Sequence, residues 1–108
     1  MAATTLLVLS TFPDAETARR IARELVAERF AACANIIPAI DSIYRWQGKL
    51  EQGSEALAFF KTGAARYAAF QEKLKSLHPY DVPEIVCLDI RDGLPEYLRW
   101  VSENTAAP

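Results

Sequence analysis

Apolar residues near the start of the chain change their spacing twice. Thr5 to Thr11 is a short, β-prone run with apolar side chains on both faces, which predicts a central strand. Pro13-Asp14 ends it, and Asp14 is a good helix N-cap. Beyond it Ala18, Ile21, Ala22, Leu25 and Val26 share one helical stripe while Arg19, Arg20, Arg23 and Glu24 lie off it, so a first helix is expected over about residues 14 to 28. From Ala32 to Trp46 the spacing becomes strand-like, carried by Ile36, Ile37, Ile40 and Ile43. Pro38 interrupts that run and removes a ladder donor, which predicts a bulge or an edge position. Gln47-Gly48 reads as a turn, and Lys49 to Thr62 as the returning strand of a long hairpin. Tyr67, Phe70, Leu74 and Leu77 recur at helical spacing, predicting a second helix that ends near His78-Pro79. Pro83 precedes a strand from Glu84 to Ile90, and Gly93 separates it from a short last helix carrying Tyr97, Leu98 and Val101.

The resulting order, β-α-β-β-α-β with a terminal helix, predicts an α+β, ferredoxin-like sandwich in a single domain over residues 1–108. Right-handed crossovers place strands one and three at the centre of an antiparallel sheet that carries two helices on one face. The hairpin is too long for this frame. Ala32 to Trp46, at ~3.3 Å per residue, extends roughly 50 Å, against about 34 Å for the diameter of a globule of this chain length. Its distal part holds Ile43, Tyr44, Trp46 and Leu50, beyond reach of the parent sheet. A two-stranded ribbon is marginal alone, so a second copy of the chain is expected to cover it and the protein to be an obligate oligomer.

Composition narrows the function classes. The chain has 108 residues, 51% of them apolar, and a net charge of −2 from 12 basic and 14 acidic side chains. That length suffices for a core without disulfides. A pI near 5.4 and the lack of a basic patch argue against nucleic acid or an anionic membrane as partner. No apolar run approaches the ~20 residues of a membrane span, and no basic residue precedes Arg19, so neither a transmembrane segment nor a secretory leader is expected. Cys33 and Cys87 lack CxxC spacing and read as reduced thiols packed as small hydrophobes, which makes the cytoplasm the expected compartment.

Several ordered motifs carry a family resemblance: Leu9-Ser10-Thr11 before Pro13-Asp14, the run Ala31 to Ile36, Ser42 to Lys49, Phe60-Lys61-Thr62, and His78-Pro79-Tyr80-Asp81-Val82-Pro83-Glu84-Ile85. With Tyr97-Leu98-Arg99-Trp100 they make the chain, from about Leu6 to Val101, resemble the CutA divalent-cation-tolerance family. The resemblance implies a homotrimer whose long hairpins engage neighbours. It also implies a cytoplasmic role in the response to divalent metal ions, copper in particular, through weak binding or signalling at clefts between subunits. Family members with a proposed copper site have a cysteine in the first strand, a histidine pair before the Pro-Tyr step and the following glutamate. The matching positions here are Ser10, Leu77-His78 and Glu84. His78 and Glu84 are thus the implied metal ligands, with Asp81 the alternative carboxylate should a neighbouring copy complete the site; they are borderline to hard and suited to weak Cu(II) or another divalent ion, and no organic cofactor is implied.

These residues also have plainer readings. His78 either ligates a metal or closes the second helix, where a donor side chain meets the last carbonyls. Tyr44, Trp46 and Trp100 read as interface anchors or as part of a ligand cleft. Glu55 and Lys61 fall on the same side of one strand and either form an inter-subunit salt bridge or line that cleft, together with Tyr80. A small enzyme using Lys61, Glu55, His78 and Tyr80 as acid, base or orienting groups is the alternative, beside a small-ligand signalling module. An acylphosphatase fits poorly, because Ser10-Thr11-Phe12-Pro13 has neither Gly nor Arg to cradle phosphate. An RNA-recognition module lacks its aromatic, basic motif in Leu57 to Thr62.

Overall fold

The computed structural model describes residues 4–106. Its elements are β1 (Thr5–Phe12), α1 (Ala15–Ala27), β2 (Cys33–Trp46), β3 (Lys49–Gly63), a 3-10 turn (Ala64–Arg66), α2 (Tyr67–Leu77), β4 (Val86–Ile90) and α3 (Pro95–Asn104). The sheet runs β2-β3-β1-β4 with every neighbour antiparallel, so β1 and β3 are central, as the ferredoxin-like order requires. Helix boundaries fall within a residue or two of those expected, and β4 begins two residues later than expected.

One face of the sheet packs on α1 and α2. Val8 and Phe12 from β1, Ala56, Ala58 and Phe60 from β3, Ile21 and Leu25 from α1, and Phe70 and Leu74 from α2 are all sealed from solvent. The alanines at the contact, Ala18 and Ala22 against Ala56 and Ala58, leave room for the helix to lie close on the strands. The Asp14 carboxylate accepts from the Thr17 N–H at 2.7 Å, capping α1 as its sequence position predicts. At the other end of α1, Arg29 takes a left-handed φ of 64°, and the Phe30 N–H reaches back to the Leu25 carbonyl at 2.9 Å in a Schellman closure. Arg66 supports that end by donating to the Arg29 and Glu28 carbonyls while its guanidinium lies 4.2 Å over the Phe30 ring.

The other face carries Leu7, Leu9, Leu57 and Phe59 at its centre and the exposed Ile37, Val86 and Leu88 towards its edges. Beyond Glu55 the hairpin loses its third strand, because β1 ends at the Phe12–Ala56 pair. From the Ile40–Glu55 pair to the Trp46–Lys49 pair it is a free two-stranded arm, and the molecule is 46 Å long but only 25 and 22 Å across. Ile43 is 64% exposed and Leu50 73%, with Tyr44 and Trp46 exposed on the opposite side of the arm. Gln47 and Gly48 both have positive φ, 50° and 79°, the two left-handed residues of a type I′ hairpin turn.

The register slips by one residue between Ile37 and Ile40, beside Pro38. This bulge decides what the arm presents. Cys33, Asn35 and Ile37 face the open side of the sheet, and an unbroken alternation would continue there with Ala39, Asp41, Ile43 and Arg45. The extra residue turns Ile40, Ser42, Tyr44 and Trp46 to that side instead.

Candidate functional site

The loop after α2 is tied to the end of β1 by His78, the C-cap residue of α2. The Tyr80 N–H donates to Nδ1 at 3.1 Å, so Nε2 carries the proton and donates to the Thr11 carbonyl at 2.8 Å. The ring stacks on Phe12 with centroids 4.7 Å apart and leans against Tyr80 at 4.9 Å. Burial pushes the imidazole below its usual pKa, against the upward pull of the Thr11 carbonyl and the Glu55 charge. A metal reaching His78 would have to displace one of these two hydrogen bonds. The histidine therefore acts here as a clamp, the helix-closing reading with a longer reach.

What the clamp positions is Tyr80. Its hydroxyl donates to Glu55 Oε2 at 2.7 Å, joining the loop to the first residues of the arm. Burial, then the hydrogen bond to Glu55, holds the phenol well above its ordinary pKa, so it remains a donor. Between loop and arm lies a cleft of about 860 Å³. Tyr44, Trp46, Glu55, Tyr80 and Glu84, all expected site residues, line it. Asp81, expected as the alternative carboxylate to Glu84, also lines it; Glu51 is a carboxylate outside the expected set, and among the described residues no lysine, arginine or histidine contributes to the wall. Glu51 was accessible in principle: fixing the turn at Gln47-Gly48 sets it directly opposite Tyr44.

Two expected members of the cleft lie elsewhere. Lys61 shares the open face with Glu55 but sits six residues along β3, where its ammonium donates to Asn35 Oδ1 at 2.8 Å and lies 5.8 Å from the Tyr97 ring centroid. Trp100 stacks on Tyr97 from α3, and the Tyr97 hydroxyl meets Cys33 Sγ at 3.6 Å. The pairing to Cys33, followed by burial, raises the Tyr97 pKa, with Lys61 pulling it down. Cys33 is thus half-buried on the open face rather than in the core, while Cys87 packs against the core as expected. Within one chain, the expected enzyme-like set joins Glu55, Tyr80 and His78 and leaves Lys61 apart. Among the described residues no three His, Cys, Asp or Glu side chains converge closely enough to hold a metal ion. The donor set of one chain does not fit a tight metal centre.

Fold and site together define an α+β, ferredoxin-like subunit with a projecting hairpin and an acidic, aromatic cleft at the arm's root. A sequence model of the CutA1 divalent ion tolerance protein matches residues 6–104. The divalent-cation tolerance protein CutA of Thermus thermophilus is 52% identical over 99 residues, 92% of this chain and 96% of that one. Mouse protein CutA is 45% identical over 88% of this chain, which spans 54% of the mouse protein. Among solved structures, the Thermus thermophilus protein superposes with a TM-score of 0.91 at 50% identity, covering 94% and 99% of the two chains. Oryza sativa CutA1 gives 0.93 at 37% identity, covering 97% and 96%. The chain belongs to the CutA1 divalent ion tolerance family.

The comparisons correct one expectation. Relatives from rice and Arabidopsis thaliana are named chloroplastic, and the Archaeoglobus fulgidus structure is described as periplasmic. The cytoplasmic assignment therefore does not stand. Two unpaired thiols are compatible with many compartments and address the chain to none of them. Among the described residues no helix is long and apolar enough to cross a membrane.

Proposed function

We propose that the protein works as a homotrimer that responds to divalent cations, copper among them, by holding them weakly at clefts between subunits, and that it acts as a binding or signalling module. The observation that carries this reading is the cleft at the root of the arm. It gathers Glu51, Glu55, Asp81 and Glu84, with no cationic side chain in its wall among the described residues, in a chain whose net charge is only −2. Such a concentration of carboxylates draws cations by its field. The donors stand too far apart for a tight site in one subunit, which suits weak uptake and leaves completion of the shell to a neighbouring copy. Glu84, on the loop that His78 clamps, is the carboxylate that the family resemblance selects, and it lines the cleft. His78 supports it by holding that loop in place.

Titrating Cu(II) and Zn(II) into the protein by calorimetry tests this. The expected result is weak, saturable uptake that weakens with salt and drops severalfold in Glu84→Gln. Absence of saturable uptake, or uptake indifferent to Glu84→Gln and Glu55→Gln, would overturn it.

A further inference from the structure

We propose that the cleft at the arm's root is a binding site for an elongated aliphatic polyammonium ion of the polyamine class. The inference rests on the cation-binding reading of this cleft and names a ligand class beyond metal ions. Its volume of about 860 Å³ is that of a small-molecule site, far more than a single ion needs. Its charges are spread out. Glu51 and Glu55 lie four residues apart on one face of β3, roughly 13 Å between Cα positions at ~3.3 Å per residue, and no three carboxylates of the wall converge as metal ligands. Separated carboxylates suit a ligand whose positive charges are themselves separated along a chain.

The side chains between the charges fit the rest of such a molecule. Tyr44 stands directly opposite Glu51, and Trp46 follows it on the same face of the arm. With Tyr80 they give three aromatic rings in the same wall as the carboxylates, the residue types that receive alkylammonium groups through charge and ring quadrupole together. Leu9, Ile40 and Leu57 supply an apolar surface for the methylene segments. An anion is repelled by this wall, and a neutral apolar ligand would strip water from carboxylates without replacing their partners. Tyr80 is already spoken for by Glu55, so one carboxylate is oriented before the ligand arrives.

The test uses the whole chain with Trp100→Phe, which leaves Trp46 as the only indole, since the sequence has two tryptophans. Spermidine and putrescine are titrated while Trp46 fluorescence is read, and Zn(II) is titrated in parallel by calorimetry. The expected result is a saturable change with spermidine, about fivefold tighter than with putrescine and weakened about fivefold by Glu51→Gln, as for one partly screened ion pair each. A spermidine response that is absent, or unchanged in both Glu51→Gln and Glu55→Gln, overturns the proposal. Zn(II) uptake without a spermidine response overturns it alone and leaves the metal reading intact. A spermidine response without Zn(II) uptake supports it and removes the metal reading.

Discussion

His78 shows how much one side chain can settle. Neutral, its ring accepts from the Tyr80 N–H and donates to the Thr11 carbonyl; protonated, Nδ1 turns from acceptor to donor and faces an N–H. Its pKa is lowered in the fold from the ordinary 6.5, so the unfolded chain binds the proton more readily. The stability this contributes is fully present above about pH 6.5 and is lost as pH falls through the depressed value. Urea unfolding at fixed protein concentration should therefore show stability declining below that pH. His78→Gln should flatten the decline and cost about 1–2 kcal/mol at neutral pH from the lost buried hydrogen bonds. An unchanged pH slope in that variant would contradict the clamp. The sequence placed His78 at a helix end, and α2 does stop there. It did not reveal the bond to Thr11, because that contact joins residues 67 apart and depends on the sheet being assembled. The same limit hid the burial of Ser10, whose Oγ faces the core without a partner among the described residues.

At the scale of elements, local chemistry is enough to write most of the fold. Asp14, the helical stripes, the Gln47-Gly48 turn and the Pro38 interruption each act over a few residues, and each appears where its chemistry predicts. The face each arm residue takes is a different matter, since it depends on whether the slip at Pro38 inserts one residue or none. That also explains why Lys61 and Trp100 were grouped with Glu55 and Tyr80: strand parity assigns a face, but distance along the face and the resting place of α3 follow only from the assembled sheet. Deleting Ala39 takes out the extra residue and leaves Ile37, Ile40, Ser42, Tyr44 and Trp46 in regular alternation on one side, with Tyr44 still opposite Glu51. The expected outcome is a variant that keeps the circular dichroism of an α+β protein, the oligomeric mass and the cation binding of the parent chain. Loss of cation binding and mass in a variant that still folds would contradict the view that the facing of the arm, and not the bulge itself, is what matters.

For the whole molecule, the governing fact is an arm with exposed apolar side chains on both sides, held to its own subunit at its root by the Tyr80–Glu55 hydrogen bond. Ile43 and Leu50 lie on one side, Tyr44 and Trp46 on the other, and the open sheet face adds Ile37, Val86 and Leu88. Burying such residues against another copy contributes about 25 cal/mol per Å² of apolar surface, and a closed ring of copies leaves no arm uncovered. The cleft lies where the arm leaves the sheet, so on the proposed trimer a copy that covers the arm also walls the cleft. Assembly and cation binding are one structural event on this account. The most direct test is the mass of the purified protein by sedimentation equilibrium at micromolar concentration. The account predicts about 36 kDa, three times the 12.0 kDa chain, and a single species near 12.0 kDa would contradict it.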